Sequence, residues 1–375
     1  MNTKPSNRKL NLLGLSKKEL EEFFVSIDEK PFRATQIVKW VHQRGVSEFS
    51  SMTDLSKTLR LKLEETCFIK APEVVHEQLS QDGTRKWVIS VGNNDLIEMV
   101  LIPDGDRATL CVSSQVGCAV DCSFCATGKE GFSRNLTLDE IIGQVWVAAN
   151  SFGIPRQGSD RNVTNVVMMG MGEPLHNFDP VVKAMDLMMD DNAYGLSKRK
   201  VTLSTSGLVP QIDKLSKVSN VSLTISLHAP NDELRDQLVP INKKYPIQDL
   251  LDSVKRYVDS CEDKRVTTIE YILINEVNDS LDIAAELASL LTQLPCKINL
   301  IPFNPFPKSD YQKPSRNRVK KFQQFLQEKG YITTIRSTRG DDIMAACGQL
   351  VGQVNDKTRK KERSENKARI EARNL

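Results

Sequence analysis

Segments of strand length alternate with helical segments over residues 108–340, and this alternation limits the possible folds more than any other sequence feature. Together with the strand before Cys118, it gives six strand–helix units. The other predicted strands are 163–169, 200–204, 221–227, 267–273 and 297–303, and the predicted helices are 138–150, 180–189, 212–217, 247–260, 281–294 and 316–329. The alternation predicts an α/β fold in which helices cover a parallel sheet, closed or partly closed. Ligand sites in such folds gather at the carboxyl ends of the strands.

The chain before residue 108 has two further patterns. Residues 1–70 have helical spacing, and Ser16 with Glu19 forms a capping box, so we predict a small helical accessory domain that is a candidate for RNA binding. Residues 71–107 predict a β extension, because two strand-like runs flank Asp82-Gly83, a dipeptide typical of hairpin turns. The barrel then takes residues 108–340, and residues 341–356 and 357–375 form a loop and a tail.

Three cysteines crowd into eight residues between the first barrel strand and the next predicted helix. Cys118, Cys122 and Cys125 have C-x3-C-x2-C spacing. Three thiolates on one loop can bind three irons of a cubane cluster and leave the fourth iron open to substrate. Structural zinc needs a fourth ligand, usually supplied by a second C-x2-C pair, and the sequence has none. The spacing therefore favours an iron–sulfur cluster over zinc or over three buried free thiols.

The cysteine spacing at the end of the first strand resembles the radical S-adenosylmethionine (SAM) superfamily. The longer run from Ser113 to Gly128, SSQVGCAVDCSFCATG, is similar to the family of adenine-2 methyltransferases that act on 23S rRNA and on tRNA, and the resemblance covers nearly the whole chain. It implies a partial β6α6, TIM-like barrel and a [4Fe–4S] cluster on the three cysteines. It also implies that the open iron holds SAM and that reduction of the cluster splits SAM to a 5′-deoxyadenosyl radical.

Residues at the strand ends match the family's SAM-binding positions. Gly172 and Glu173 stand in a G-E-P motif, where glycine allows the backbone to approach the ligand and the carboxylate can take the ligand's ammonium group. By resemblance, the further contacts to SAM come from Ser204, Ser226, Leu227, His228 and Asn304. Without the resemblance, the serines and the asparagine would be interpreted as ordinary turn or cap residues.

Two cysteines outside the cluster motif and one glutamate complete the expected site. Adenine C2 is electron-poor and cannot attack a sulfonium methyl directly, whereas a thiolate can. The resemblance implies that Cys347 takes a methyl group from one SAM, that a second SAM supplies the radical, and that Cys111 resolves the protein–RNA adduct by forming a disulfide with Cys347. It also assigns Glu98 as the acceptor of the C2 proton. Otherwise, the two cysteines read as small buried apolar residues.

The charge and the hydropathy of the chain limit the partners that it can have. The net charge is +3, but residues 357–375 carry eight Lys/Arg against three Glu, so the rest of the chain is about −2. RNA therefore has to meet local basic patches. The candidates are the tail, Arg33, Arg44, Arg199-Lys200 and residues 308–321 with Lys313, Arg316, Arg318, Lys320 and Lys321. No apolar run is long enough to cross a membrane, and we expect a cytoplasmic monomer that takes electrons from a donor such as flavodoxin.

Two other functions fit parts of this pattern. An enzyme of the same class that methylates adenine C8 shares the cysteine plan, although the run CAVDCSFC favours C2 by resemblance. A non-catalytic, zinc-stabilised RNA-binding protein belongs to a different class. Metal analysis separates an iron–sulfur enzyme from the zinc-stabilised protein, because a cluster carries about four irons and a structural zinc site carries one zinc.

Overall fold

The computed structural model describes residues 9–153, 161–263, 265–307 and 309–352. The strands are β1 (Leu10–Asn11), β2 (Cys67–Phe68), β3 (Glu73–Leu79), β4 (Arg85–Ser90), β5 (Leu96–Asp104), β6 (Arg107–Cys111), β7 (Gln115–Gly117), β8 (Phe132–Asn135), β9 (Asn165–Met168), β10 (Val201–Thr205), β11 (Ser222–Ser226), β12 (Thr267–Leu273), β13 (Cys296–Pro302) and β14 (Thr333–Ile335). The helices are α1 (Lys17–Ser26), α2 (Arg33–Val38), α3 (Lys57–Thr66), α4 (Ala126–Lys129), α5 (Leu138–Asn150), α6 (Phe178–Met189), α7 (Val209–Leu215), α8 (Asp232–Leu238), α9 (Ile247–Asp259), α10 (Leu281–Leu290) and α11 (Arg316–Glu328).

Ten of these strands form one sheet in the order β14-β13-β12-β11-β10-β9-β6-β5-β4-β3. The pairs from β6 to β14 are parallel, and β3 to β6 pair antiparallel. Cys111 on β6 and Ile301 on β13 line the same cavity although four strands separate them in the sheet. The sheet therefore curls into the partial barrel that the sequence predicted, with β3 and β14 as edges in the described part of the chain.

The local patterns predicted most elements. The strand 267–273 and the helix 138–150 have the predicted bounds. The capping box predicted at Ser16 is present, and Thr137 with Glu140 forms another at the start of α5. Seven short elements were not predicted: β1, β2, β7, β8, α4, α8 and β14. The helix α8 is a single polar stretch of two turns, too short for a helical period to emerge, and β14 has only three residues. Because β14 pairs parallel with β13, the described barrel wall has one strand more than the six predicted.

The N-terminal helices pack against the outside of the barrel and share its core. Trp146 on α5 donates its indole N–H to the carbonyl of Val41 at 3.0 Å. The buried ring of His42 lies 3.1 Å from the hydroxyl of Tyr194 through Nδ1. At the other end of the sheet, the hairpin of β3 and β4 turns at residues 80–84, as predicted. None of the helices in the described residues is long and apolar enough to cross a membrane.

Candidate active site

The three cysteines of the motif lie on one tight loop between β7 and α4. The N–H of Cys125 donates to the carbonyl of Cys122 at 3.2 Å, and α4 begins at the next residue. The loop folds closely over α4, because a Cβ added to Gly128 would lie 3.3 Å from the backbone of Cys122. Cys118, Cys122 and Cys125 are all half-buried, and all three line one cavity. The structure thus brings the three predicted ligands together.

Three thiols on one loop can bind three irons of a cubane cluster. Within the described residues, no group of three or more His, Cys, Asp or Glu side chains is arranged to hold a metal ion. Burial, followed by the charges of Cys125 and Cys118, raises the pKa of the Cys122 thiol well above its usual range. Cationic irons would supply the positive charge that three buried thiolates need.

The SAM-motif residues lie beside the cysteines on a cavity of about 150 Å³. Gly172 has a φ of +99°, and a Cβ there would meet the Cβ of Gln115 at 2.5 Å, so no other residue fits. The carboxylate of Glu173 is buried and accepts the N–H groups of Leu175 at 3.0 Å and Ser206 at 2.8 Å. Burial raises the pKa of Glu173 despite these hydrogen bonds. Among the described residues, no Lys or Arg forms an ion pair with this carboxylate, and the ammonium group of a ligand could do so.

Ser204, Ser226 and His228 line the same cavity from the ends of β10 and β11. The two serine hydroxyls are 3.5 Å apart. His228 has a φ of +65°, and its Nδ1 accepts the N–H of Ile272 at 3.0 Å, which assigns the ring proton to Nε2. Burial lowers the pKa of His228 to about 3, so the ring is a neutral donor. Its edge also packs on Phe124 of the cysteine loop at 4.7 Å.

Two predicted SAM contacts lie elsewhere. The side chain of Leu227 is fully buried and does not line the cavity, and its N–H donates to the carbonyl of Glu270. Asn304 lines a second cavity, where its amide donates to the carbonyl of Cys347 at 3.2 Å. In this structure Asn304 therefore contacts the Cys347 loop and does not line the smaller cavity.

The second cavity has a volume of about 350 Å³ and contains both expected reactive thiols. Cys111 and Cys347 line it together with Cys125 of the cluster loop, and we call it the thiol cavity. Cys347 and Cys125 also line the smaller cavity, so the two spaces share a wall. Three segments that are distant in the sequence therefore meet at this cavity. They are the first barrel strand, the cluster loop and the loop after β14.

Hydrogen bonds to the cluster loop hold the Cys347 loop in place. The carbonyl of Gly348 accepts the N–H of Ala126 at 2.7 Å, and the hydroxyl of Thr127 donates to the carbonyl of Leu350 at 2.6 Å. On the other side, the Gln349 amide donates to the carbonyl of Pro305 at 2.8 Å. The Cys347 loop is thus tied to the first turn of α4 and to Pro305, which follows β13.

Arg336 faces both thiols and was not predicted. Its guanidinium lies on the thiol cavity, 3.7 Å from the carboxylate of Glu270. Burial raises the pKa of Cys111 to about 12 and also raises that of Cys347, and the positive charge of Arg336 acts against both shifts. Glu270 interrupts the otherwise apolar strand β12, and a buried charge in such a strand was the signal available in the sequence.

Arg235 is a second residue that sequence reasoning missed. It is fully buried on α8, and its guanidinium donates to the carbonyls of Ser206, Ser226 and Leu227 at 2.7–3.1 Å. Its remaining partner is the amide oxygen of Asn242 at 2.8 Å. Arg235 therefore joins the carboxyl ends of β10 and β11, which carry the predicted SAM contacts. No local pattern in the sequence indicated it.

Glu98 lies on β5 in a buried ion pair. Its carboxylate is 3.2 Å from the amine of Lys86 and accepts the N–H of Val351 at 3.0 Å. Burial raises the pKa of Glu98, and Lys86 opposes that shift. Val100 and Ile102 share its face of the strand and line the thiol cavity, while Glu98 itself does not. The segment after Cys347 contacts this carboxylate through the N–H of Val351, and Leu350 of the same segment lines the cavity.

The predicted basic surfaces are partly neutralised. Arg318 pairs with Asp279 at 2.8 Å, Arg199 lies 3.4 Å from Asp263, and Arg44 stacks on the ring of Trp40 at 3.9 Å. The helix α11 presents the charges of Arg316, Lys320 and Lys321 to solvent. Lys308 and the tail 357–375 lie outside the described residues.

Comparison with known proteins gives matches over nearly the whole chain. Residues 10–69 match the ribosomal RNA large subunit methyltransferase N-terminal domain, and residues 112–288 match the radical SAM superfamily. The dual-specificity RNA methyltransferase RlmN of Marinomonas sp. strain MWYL1 is 64% identical over 95% of this chain and 96% of its own. RlmN of Marinobacter nauticus is 62% identical over 95% and 96%. A radical SAM methyltransferase from Sphaerobacter thermophilus superposes with a TM-score of 0.84 at 43% identity and covers 91% of this chain and 99% of its own.

Proposed function

The chain belongs to the RlmN family of dual-specificity RNA methyltransferases, and on that premise we propose that it methylates C2 of an adenine in 23S rRNA and in tRNA through the thiol of Cys347. It is an enzyme of the radical SAM superfamily, with a [4Fe–4S] cluster and SAM as cofactors. Cys118, Cys122 and Cys125 would hold the cluster, and Glu173, with Gly172, Ser204, Ser226 and His228, would hold SAM. The bound cluster supplies the electron that splits SAM into methionine and a 5′-deoxyadenosyl radical.

The thiol of Cys347 carries the methyl group. As a thiolate it attacks the sulfonium methyl of one SAM, and the guanidinium of Arg336 stabilises the negative charge that this step requires. The 5′-deoxyadenosyl radical from a second SAM would remove a hydrogen atom from the S-methyl group and become 5′-deoxyadenosine. The resulting carbon radical on the sulfur of Cys347 would then add to C2 of the adenine. Two molecules of SAM are therefore used for each methyl group transferred. Cys347 suits this role because it borders both cavities.

Glu98 and Cys111 act after the carbon–carbon bond has formed. Glu98 takes the proton from C2, and its raised pKa suits an acceptor that has to release the proton later. The radical adduct would give up one electron, which the oxidised cluster could accept. Cys111, as a thiolate, would then attack the sulfur of Cys347. The bond from that sulfur to the bridging carbon would break, the carbon would take a proton and become the methyl group, and a disulfide would remain. Glu98 does not line the cavity in this structure, so the role requires the segment around Val351 to shift when RNA binds.

One observation carries the proposal: Cys111, Cys125 and Cys347 line a single cavity. A cavity with one cluster cysteine and two further thiols provides adjacent places for the radical source, the methyl carrier and the resolving thiol. The target base has to leave its stack to reach them. A volume of about 350 Å³ lies within the range of small-molecule sites.

Nucleoside analysis of the modified RNA tests this function. The enzyme, reconstituted under anaerobic conditions, would be given SAM, a reductant and either a 23S rRNA fragment or tRNA that has never been methylated. We expect 2-methyladenosine in both RNAs and none with Cys347→Ala. A product methylated at C8, or enzyme that contains one zinc and cleaves no SAM, would refute the proposal in favour of one of the two alternative functions.

We also propose the partners and the location. The enzyme acts as a monomer in the cytoplasm and receives electrons from a small protein donor such as flavodoxin. The half-buried cluster cysteines support a donor that docks near the cysteine loop, since an electron can reach the site without passing through the core. The tail 357–375 and α11 supply positive charge for RNA phosphates.

A further inference from the structure

The turn of the β3–β4 hairpin contacts the segment that leads to Cys347. The hydroxyl of Ser80 donates to one carboxylate oxygen of Asp342 at 2.5 Å, and the N–H of Gln81 donates to the other at 3.2 Å. In the reverse direction, the carboxylate of Asp82 accepts the N–H of Gly340 at 3.1 Å. Three hydrogen bonds therefore join segments about 260 residues apart in the sequence. We call them the hairpin contact.

The backbone on the Cys347 side is shaped to fit this turn. Gly340 has a φ of +60°, and an added Cβ would lie 2.8 Å from Ala345 and 2.9 Å from the Thr84 side chain. Met344 also has a positive φ, at +50°, which a residue with a side chain rarely adopts. Both Ser80 and Thr84 are buried, so the turn presents a packed surface rather than a mobile tip. Such a conformation persists only where its surroundings hold it.

The hairpin contact is one of two anchors on either side of Cys347. The second is the set of bonds from the carbonyls of Gly348 and Leu350 to the cluster loop. Cys347 thus lies a few residues from a fixed point on each side, which limits how far its thiol can move. A methyl carrier needs this restraint, because misplacement of a reacting group by about 1 Å can cost about a hundredfold in rate.

We propose that residues 80–82 of the β3–β4 turn are a positioning element, which holds the Cys347 loop through Asp342 and Gly340 so that the thiol meets both SAM and the RNA base. The inference rests on the proposed role of Cys347 as methyl carrier. It assigns a function to the β3–β4 hairpin, whose turn residues 80–84 line neither of the two cavities. Asp342 and Ser80 are positioning residues and not catalytic ones.

Hydrogen–deuterium exchange on the cluster-loaded enzyme, without RNA, tests the positioning directly. In Asp342→Ala, and in Ser80→Ala, amide exchange across 340–350 should be roughly three- to tenfold faster, since a lost hydrogen bond favours the opened loop by such a factor. Asp342→Asn retains an oxygen for the Ser80 hydroxyl and should fall in between. Asp341→Ala is the matched control, because it removes the same charge from the same turn and Asp341 has no side-chain hydrogen bond in the described structure.

Steady-state kinetics supply the second readout. The two variants that break the hairpin contact should lower kcat for RNA methylation by a similar factor and leave the KM for RNA within about twofold, because residues 80–82 position the thiol rather than the RNA. Equal exchange and equal kcat in Asp342→Ala and Asp341→Ala would overturn the inference, as would faster exchange with unchanged kcat. If Cys347 of the natural enzyme never carries a methyl group, the proposed function fails instead, whatever the exchange rates are.

Discussion

The peptide N–H of Ala126 donates a 2.7 Å hydrogen bond to the carbonyl oxygen of Gly348. Each of these residues follows a cysteine directly, Cys125 in the cluster loop and Cys347 in the loop after β14. The bond is made by backbone atoms, so changing either cysteine side chain leaves it intact. The radical source and the methyl carrier are therefore held together independently of their own chemistry, which makes single-cysteine variants clean tests of function.

Replacing Cys122 with Ala should abolish cluster assembly. The cubane would keep only two protein thiolates, those of Cys118 and Cys125. Because two thiolates cannot hold the cubane, iron content, the visible absorption of the cluster and SAM cleavage should all fall to background. Cys261→Ala is the control, because that buried thiol lines neither cavity and should leave iron content unchanged. Full iron content in the Cys122→Ala enzyme would remove Cys122 from the ligand set.

Replacing Glu173 with Gln should weaken SAM binding without loss of the cluster. The charge-assisted bond to the ligand's ammonium group is worth about 1.5–3 kcal/mol, which corresponds to a roughly 10- to 150-fold rise in Kd. Gln retains an oxygen for the N–H groups of Leu175 or Ser206, so the fold is better preserved than with Ala. Equilibrium binding to the reconstituted enzyme measures the effect. An unchanged Kd would exclude the proposed contact.

Replacing Glu98 with Gln should slow RNA methylation by about 10²–10⁴-fold, the usual contribution of a general base, while methylation of Cys347 continues. The variant leaves the buried amine of Lys86 without its carboxylate, so stability has to be measured as well. The double variant Glu98→Gln with Lys86→Met removes both charges and is the control for that effect. RNA methylation at the natural rate in either variant would show that the proton leaves by another route.

Acidic pH should weaken the attachment of the N-terminal helices through His42. Burial lowers the pKa of His42 to about 4, against about 6.5 in the unfolded chain. Because the folded pKa is depressed, the native ring stays neutral while the unfolded ring binds a proton, and stability is lost as pH falls from about 6.5 towards 4. Between pH 7 and pH 5 the loss is about 2 kcal/mol.

Thermal melting of the natural chain and of His42→Gln, each at pH 7 and pH 5, tests this linkage. The variant should be less stable at pH 7, since the contact with Tyr194 is changed, but its melting temperature should fall less between the two pH values. Identical pH dependence in both proteins would mean that His42 does not titrate on unfolding. The loss of stability at acidic pH would then have to come from other titratable groups.

Local patterns predicted the barrel and the cluster loop because both are encoded over short stretches. The period of apolar residues marks α5 and β12, and the cysteine spacing marks the ligands within eight residues. Contacts between distant segments could not be predicted in this way. Thr127 and Leu350 are 223 residues apart, and the buried ion pair of Glu98 and Lys86 joins β4 and β5, whose register depends on the turn at residues 91–95. Arg235 and Arg336 are single charges whose partners are distant carbonyls and thiols.

The asymmetry between Cys111 and Cys347 tests the central claim most directly. Both thiols line one cavity, yet one should act before the carbon–carbon bond forms and the other after it. Denaturing gels and mass spectrometry of Cys111→Ala and Cys347→Ala, purified from cells, would measure RNA bound covalently to each protein. We predict RNA attached through Cys347 in Cys111→Ala, and neither RNA nor a methyl group at position 347 in Cys347→Ala. RNA attached to Cys347→Ala, or its absence from Cys111→Ala, would contradict the account.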